Sequence, residues 1–336
     1  MPITLKTALG NRIYNLEPHF RAMKYKHLFG PVVSRRLGVS LGVDLVPYKY
    51  CPLNCVYCEV QNTTHLQTRR EAFFPVNEIL TELDHFMLDR PHLDYITFSG
   101  AGEPTLNSSI SEIILYIKSH YPEYKLALLT NGVLLDSDEV LQEILPCDVI
   151  LPSLDAASQE LYEKVNRPQS GLLVSDQIAG LIKLRERYAG QIWLEVFIVP
   201  EITDVPAELK LLRAAIGQIS PDLVQLNSLD RPGAEDWVKA ASTQRLKEIK
   251  NYLAEELAMP IEIIAKIVTP PEAKAPDEEI VHLIRGSLSR RESTAEDLAF
   301  MLDIHINEIS AILRELNAEG KLQTDRRARG VCYSWK

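Results

Sequence analysis

Cys51-Pro-Leu-Asn-Cys55-Val-Tyr-Cys58 places three thiols within eight residues, in the spacing C-x3-C-x2-C. Thiolates hold iron–sulfur clusters through sulfur–iron bonds, usually four to a cubane. Three ligands this close would hold three irons of a four-iron cluster and leave the fourth open to a substrate or cofactor. A zinc site is the alternative, with a nearby histidine such as His65 as fourth ligand. Which metal the loop takes is decided by what surrounds it.

Working outward, the chain supplies β-like runs in a fixed order, each ending in polar or glycine residues. Tyr95-Ile-Thr-Phe98 ends in Ser99-Gly-Ala-Gly102-Glu103-Pro104, and Leu126-Ala-Leu-Leu129 ends in Thr130-Asn131-Gly132. Val149-Ile-Leu151 ends in Pro152-Ser153-Leu154-Asp155. Trp193–Val199 follows, then Leu223–Asn227, which runs into Asp230-Arg231-Pro232. Between the runs lie helical patterns at Val76–Leu88, Ile110–Ser119 and Asp138–Ile144, apolar on one face. Alternating strands and helices imply parallel βαβ units. Parallel α/β barrels carry their active sites at the C-terminal ends of the strands, where these polar residues fall.

Over roughly residues 28–235 this combination resembles the radical S-adenosylmethionine (SAM) enzymes. The cysteine loop matches the superfamily signature, including an aromatic residue, Tyr57, before the third cysteine. Gly-Ala-Gly-Glu-Pro resembles the superfamily's "GGE" element after the second strand. The stretch Phe29-Gly-Pro-Val-Val-Ser-Arg35-Arg36-Leu-Gly, continuing through Asp44 to Pro47, resembles a branch related to the wyosine (tRNA imidazoguanosine) synthesis enzymes. Wyosine synthases carry a second cluster on upstream cysteines. No cysteine precedes Cys51 here, and only Cys147 and Cys332 remain beyond the loop. The likeness therefore stops short of the wyosine reaction itself.

The resemblance implies one [4Fe–4S] cluster on Cys51, Cys55 and Cys58, with SAM chelated at the open iron. It implies reductive cleavage of SAM to methionine and a 5′-deoxyadenosyl radical, with a reductant protein such as a flavodoxin or ferredoxin. Gly100 and Gly102 would let backbone approach the methionyl group, with no Cβ in the way. Glu103 would accept from its ammonium, or else cap the segment that follows. Tyr57 would pack on adenine or exclude water. Ser153 and Asp155 would meet the ribose or the methionyl carboxylate. Asn131 reads equally as a site residue and as the Asn of an Asn-Gly turn. Asn227 and Arg231 end the sixth strand, and Arg231 would meet a carboxylate or an anionic substrate. No single residue is singled out as catalytic.

The expected fold class is α/β, a partial (β/α)6 radical SAM barrel followed by a small winged helix-turn-helix domain. Residues 1–22 show no strong helical or strand period and read as an N-terminal extension, since relatives begin near Met23. Residues 23–268 form the barrel, closed by a long helix over Trp237–Glu256 and a strand-like run at Ile261–Ile267. Thr269-Pro-Pro-Glu-Ala-Lys-Ala-Pro276 is a Pro-rich linker, residues 269–276, because proline fixes φ and lacks an N–H. In residues 277–336 three helical segments precede a hairpin, with Ser293-Thr294-Ala-Glu296 as a capping box and Gly320 as a C-cap. That order resembles a winged helix, a module that docks nucleic acid or protein.

Composition sets the outer bounds. At 336 residues, 46% hydrophobic and 24% charged, the chain can bury a large core. No apolar run reaches about 18 residues, so no membrane span is expected, and with no secretory leader ahead of the cysteines a reducing cytoplasm is. A net charge of −10 argues against indiscriminate RNA binding. Lys24, Lys26, Arg35 and Arg36, with Arg69-Arg70 beyond the loop, are the candidate local basic patch. Two functions remain in view: a radical SAM enzyme acting on a macromolecule, RNA or protein, and an iron–sulfur-sensing winged-helix transcription regulator without SAM turnover.

Overall fold

The computed structural model describes residues 3–7, 10–14, 25–34, 36–230, 233–264, 278–289, 292–302, 304–327 and 330–336. Strands β1 (Ile3–Thr7) and β2 (Gly10–Tyr14) pair antiparallel, with Ile3 opposite Tyr14. No hairpin was expected in the first 22 residues. Two five-residue strands are too short to show a period against their surroundings.

The main sheet begins with β3 (Leu28–Ser34) and β4 (Gly38–Val43), an antiparallel pair. Their register shifts between Phe29 and Val32, at Gly30-Pro31. Proline has no N–H for a ladder, so it sits where the ladder is already broken. A short parallel pair follows, β5 (Tyr50–Cys51) with β6 (His65–Leu66), and it brackets the cysteine loop. Then come β7 (Tyr95–Phe98), β8 (Lys125–Thr130), β9 (Val149–Pro152), β10 (Gln191–Phe197), β11 (Leu223–Asn227) and β12 (Ile261–Ile263). The sheet order is β12-β11-β10-β9-β8-β7-β4-β3, and every pairing from β4 to β12 is parallel.

Six of these parallel strands are the expected ones. The strand-like run expected from Ile261 supplies a seventh, β12, at the far edge, and β3 adds an antiparallel strand at the near edge, so the sheet stays open as a partial barrel. The closing helix is shorter than its sequence pattern suggested. It spans Thr243–Ala254, because the Ser242 side chain caps it by accepting the Arg245 N–H.

Strands covered on both faces read as continuous apolar runs rather than alternating ones. β9 is buried along its whole length. Outside, helix Ile110–His120 buries Ile110, Ile113, Ile114 and Ile117, one stripe at helical spacing. Helix Val76–Met87 does the same with Ile79, Leu83, Phe86 and Met87. On a separate face Leu37, from the β3–β4 turn, packs with Ala127 of β8 and with Val149 and Leu151 of β9.

Residues beyond 277 form a second unit with its own core of Ile284, Leu288, Leu298, Ile309, Leu313, Leu316 and Leu322. Helices Glu278–Leu288, Ala295–Leu302 and Ile306–Ala318 pack with β13 (Ser293–Thr294), β14 (Leu322–Arg327) and β15 (Gly330–Trp335), ordered β13-β15-β14. The capping box lies one residue later than expected. Thr294 Oγ1 accepts the Asp297 N–H, and Asp297 Oδ2 accepts the Thr294 N–H, each at 3.1 Å. Gly320, at φ +75°, ends the last helix, and the Lys321 N–H returns to the Leu316 carbonyl at 3.0 Å. The Pro-rich segment 269–276 lies outside the described residues.

This unit touches the barrel beside the cysteine loop. His305 stacks on Phe29 with ring centroids 4.9 Å apart, and its Nε2 lies 3.5 Å from Asp44 Oδ2. Glu308 accepts the Gly30 N–H. Glu296 lies within hydrogen-bond reach of the Tyr48 hydroxyl. A cleft of about 320 Å³ runs between the two parts, lined by His27, Asp44 and Ala101 on one side and Ile304, His305 and Ile306 on the other.

Candidate active site

Cys51 closes β5, and Cys55 and Cys58 follow in the turn that leads to β6. The turn is fastened from two directions. Asn54 and Val56 donate their N–H groups to the carbonyls of Asn166 and Val165, each at 2.9 Å. The Glu235 N–H reaches back to the Val56 carbonyl at 3.0 Å, and Asn54 Oδ1 accepts the Thr63 N–H at 2.8 Å.

Each sulfur faces an N–H donor from a different place in the chain. Lys49 Nζ donates to Cys58 Sγ at 2.8 Å, Asn131 Nδ2 to Cys51 Sγ at 3.4 Å, and Asn166 Nδ2 to Cys55 Sγ at 3.4 Å. Burial pushes the Cys51 thiol up to about 11 and carries Cys55 above the usual thiol range. Burial acts to lower the Lys49 ammonium, but the negative sulfurs of Cys58, Cys51 and Cys55 outweigh it and hold the group above its ordinary value. Buried thiolates therefore need strong positive charge beside them, and a bound metal supplies it.

No three His, Cys, Asp or Glu side chains among the described residues converge on a single-ion position. A four-iron cluster spreads its thiolates over separate irons and does not ask them to. His65, the fourth ligand of the zinc reading, is exposed, stacked on Tyr50 at 4.1 Å, with its Nδ1 3.1 Å from Thr64 Oγ1. The donor set fits a cluster.

The Gly-Ala-Gly-Glu loop after β7 meets the cysteine loop from the side. Ala101 donates its N–H to Asp44 Oδ2 at 2.9 Å. Gly100 has φ +139°, and a Cβ there would lie within 2.6 Å of the whole Asp44 carboxyl group. A Cβ on Gly102 would lie 2.1 Å from the Tyr50 carbonyl oxygen. Both glycines make room for the protein's own atoms, a cause the clearance argument from sequence did not include.

Glu103 is buried, and four protein donors converge on it. Oε1 accepts from the Thr105 N–H at 3.1 Å, the Thr105 hydroxyl at 2.6 Å and the Thr130 hydroxyl at 2.7 Å. Oε2 accepts the Asn131 N–H at 2.7 Å. A carboxylate offers about four acceptor positions, so Glu103 is the cap of the Pro104–Leu106 turn and the tie to the end of β8. The structure thus shows the capping role that the sequence left open beside the ammonium contact.

Asp155 is a second hub. Its Oδ2 accepts from the Tyr57 hydroxyl and from Asn166 Nδ2 at 2.7 Å, and Oδ1 accepts the Phe197 N–H at 3.0 Å. The Tyr57 ring stacks on Phe197 at 3.8 Å, so one face is already covered by protein. Asn131 both reaches Cys51 through its side-chain amide and accepts the Val133 N–H as a turn residue does. Ser153, half-buried at the end of β9, gives its carbonyl to Gln177 at 3.0 Å. Asn227 donates to Glu195 Oε1 at 2.7 Å, and Glu195 Oε2 pairs with Arg36 at 2.8 Å. Arg231 lies outside the described residues.

The described arginines of the expected basic patch are each paired with carboxylates. Arg36 is paired with Glu195, and Arg70 bridges Glu143, Glu139 and the carbonyls of Thr105 and Asn107. Arg69 is exposed and paired with Glu71. Lys24 and Arg35 lie outside the described residues.

A sequence profile of the radical SAM superfamily matches residues 45–211. A Helicobacter pylori protein called UPF0026 protein is 30% identical over 279 residues, 82% of this chain and 88% of its own length. The chain belongs to the UPF0026 family of the radical SAM superfamily. A Brachyspira hyodysenteriae protein called GTPase Obg is 31% identical over 305 residues, 90% of this chain, and the chain spans only 44% of that relative. Among solved structures, a radical SAM methyltransferase from Sphaerobacter thermophilus shares the fold at a TM-score of 0.53. The two are 16% identical, over 78% of this chain and 76% of that one.

The chain is thus a radical SAM enzyme that takes a [4Fe–4S] cluster and SAM. Cys51, Cys55 and Cys58 are the residues that would hold such a cluster, which would supply an electron to SAM when bound. Three of the residues around it were not singled out from sequence: Lys49, Asn166 and Asp44. Lys49 stands two positions before Cys51, and its contact with Cys58 requires the loop to fold back. Asn166 is 111 residues from Cys55, and no local pattern marks it.

Asp155 gives the metal-free protein a pH signature. Burial raises its carboxyl to about 6, against 3.8 for a free aspartate. Between these values the folded state holds a proton that the unfolded state has lost. The Asp155 contribution to stability is therefore full below pH 4 and is lost as pH rises through 6, a change of about 3 kcal/mol at about 1.4 kcal/mol per unit. Urea unfolding of wild type and Asp155→Asn at pH 4, 5, 6 and 7 reads it. Identical slopes would remove this assignment.

Proposed function

We propose that this enzyme cleaves SAM reductively and uses the resulting 5′-deoxyadenosyl radical to abstract hydrogen from a macromolecule. The observation that carries the reading is the cysteine loop at the strand C-termini, with an N–H donor on every sulfur and a separate C-terminal unit lying beside it. Lys49, Asn131 and Asn166 hold the sulfurs in place, Asp155 orients Asn166 and Tyr57, and Glu103 fixes the loop on which the glycines sit. The C-terminal unit reads as a winged helix that recruits the substrate.

Its surface supports a protein or peptide over a phosphate backbone. Residues 277–336 hold nine Lys and Arg against eleven Asp and Glu. Phe300 is 92% exposed, and Leu283 at 48% and Met301 at 40% are also exposed in that unit. RNA affinity instead calls for clustered positive charge. A flavodoxin- or ferredoxin-like protein is the proposed reductant. A labile cluster and unpaired thiols fit a reducing compartment such as the cytoplasm. No helix among the described residues is long and apolar enough to cross a membrane.

Anaerobically reconstituted, reduced enzyme is expected to form 5′-deoxyadenosine, and a host cell extract is expected to raise the yield. Loss of the stimulation on protease treatment supports a protein or peptide, and loss on RNase treatment transfers the proposal to RNA. The transcription-regulator reading has less behind it, because a sensor has no use for a SAM site. It would be revived by a protein with an intact cluster and no cleavage above a Cys55→Ala control.

A further inference from the structure

We propose that Lys49 is a built-in electrostatic tuner of the cluster, holding its reduction potential up through a buried ammonium set against the Cys58 sulfur. The inference rests on the cluster reading above and concerns what sets that cluster's potential. Lys49 is 4% exposed, and its Nζ donates to Cys58 Sγ at 2.8 Å. Lysine is among the residues almost never fully buried unless paired, and here the partner is a ligand sulfur.

The backbone around Lys49 is held independently of the side chain. Its N–H donates to Thr64 Oγ1 at 3.1 Å, and its carbonyl accepts the N–H groups of Thr64 and His65, each at 3.2 Å. The position is thus fixed by the β5–β6 surroundings, and the side chain is left to run inward to the sulfur. The other two sulfurs receive neutral amide donors, Asn131 and Asn166 at the longer distance of 3.4 Å, with the Leu53 N–H also on Cys51. Lys49 is the charged member of the three.

The sign follows from charge alone. Adding an electron makes the cluster more negative, so a fixed positive charge in a poorly screened pocket stabilises the reduced form and raises the potential. A hydrogen bond to the ligand sulfur acts in the same direction. Lys49 acts through Cys58 and is therefore a positioning residue.

The test is an EPR-monitored redox titration of the reconstituted protein without SAM. Wild type is compared with Lys49→Met, Lys49→Gln, Lys49→Arg and, as a charge control on the exposed surface, Lys210→Met. At a fixed potential the reduced-to-oxidised ratio is expected to fall about tenfold in Lys49→Met, a shift of about 59 mV to the negative side for a one-electron couple. Lys49→Gln is expected to shift the same way, while Lys49→Arg and Lys210→Met stay with wild type. Neutral variants that titrate with wild type overturn the proposal. So does loss of the cluster from both neutral variants, which would make the lysine purely structural. A wild-type protein that binds no iron would instead overturn the cluster reading itself.

Discussion

Replacing Glu103 by alanine is expected to lower the unfolding free energy by about 4 kcal/mol. Two backbone N–H groups, of Thr105 and Asn131, would lose their acceptor inside the protein, as would the hydroxyls of Thr105 and Thr130. A buried donor left without a partner costs about 1–3 kcal/mol. The hydroxyls can rotate to new acceptors, but the two amides cannot, so the amides set the figure. The carboxylate is itself held at a cost, since burial raises its pKa, and removing it recovers part of the loss. Glu103→Gln keeps one acceptor and turns an amide toward the donors, so it should fall about midway between the two. In a melting experiment the alanine variant should lose about 10 °C. A melting curve that overlays wild type would mean that the carboxylate is not tied as described, and would return it to the ligand contact expected from its motif.

The second large effect falls on Gly102. A Cβ there would sit 2.1 Å from the Tyr50 carbonyl and 2.8 Å from Val46 Cγ2. The Tyr50 carbonyl cannot easily retreat, because it accepts the Glu103 N–H at 3.0 Å and precedes Cys51 in β5. Overpacking of this kind costs about 1–3 kcal/mol or more, and here the strain is delivered to a cluster ligand. Gly102→Val is expected to retain iron about tenfold less well than wild type after anaerobic reconstitution, the scale of loss seen when a ligand's support is removed. Iron content and the visible absorbance of the cluster measure it. Full cluster occupancy with lost SAM binding would show that the glycine serves the ligand and not the loop.

Much of the barrel is legible from sequence because its signals are local. Parallel strands announce themselves as short apolar runs, and the helices between them by stripes such as Ile110, Ile113, Ile114 and Ile117. The cysteines stand out because three thiols at that spacing serve few other ends. What escaped was long-range. Glu103 carries the same motif whether it faces a ligand or four protein donors, and the donors come from residues up to 28 positions away. Gly100 and Gly102 were read as clearance for a ligand because sequence does not show that Asp44 and Tyr50 occupy the space. Arg36 looked like part of a basic surface because its partner, Glu195, is 159 residues on. Lys49 went unnoticed for a related reason, since a lysine beside a tyrosine carries no mark of burial.

The seam between the two units bears on how the enzyme is handled. His305 covers the Phe29 ring and sits against Asp44, the carboxylate that also holds Ala101. Glu308 secures Gly30 at the bulge of the edge strand. A truncated chain ending before residue 278 would therefore bare an aromatic ring and a half-satisfied acid beside the glycine loop. Catalytic silence in such a fragment says nothing about what the intact polypeptide does, and the smallest unit in which its chemistry is meaningfully assayed includes both parts.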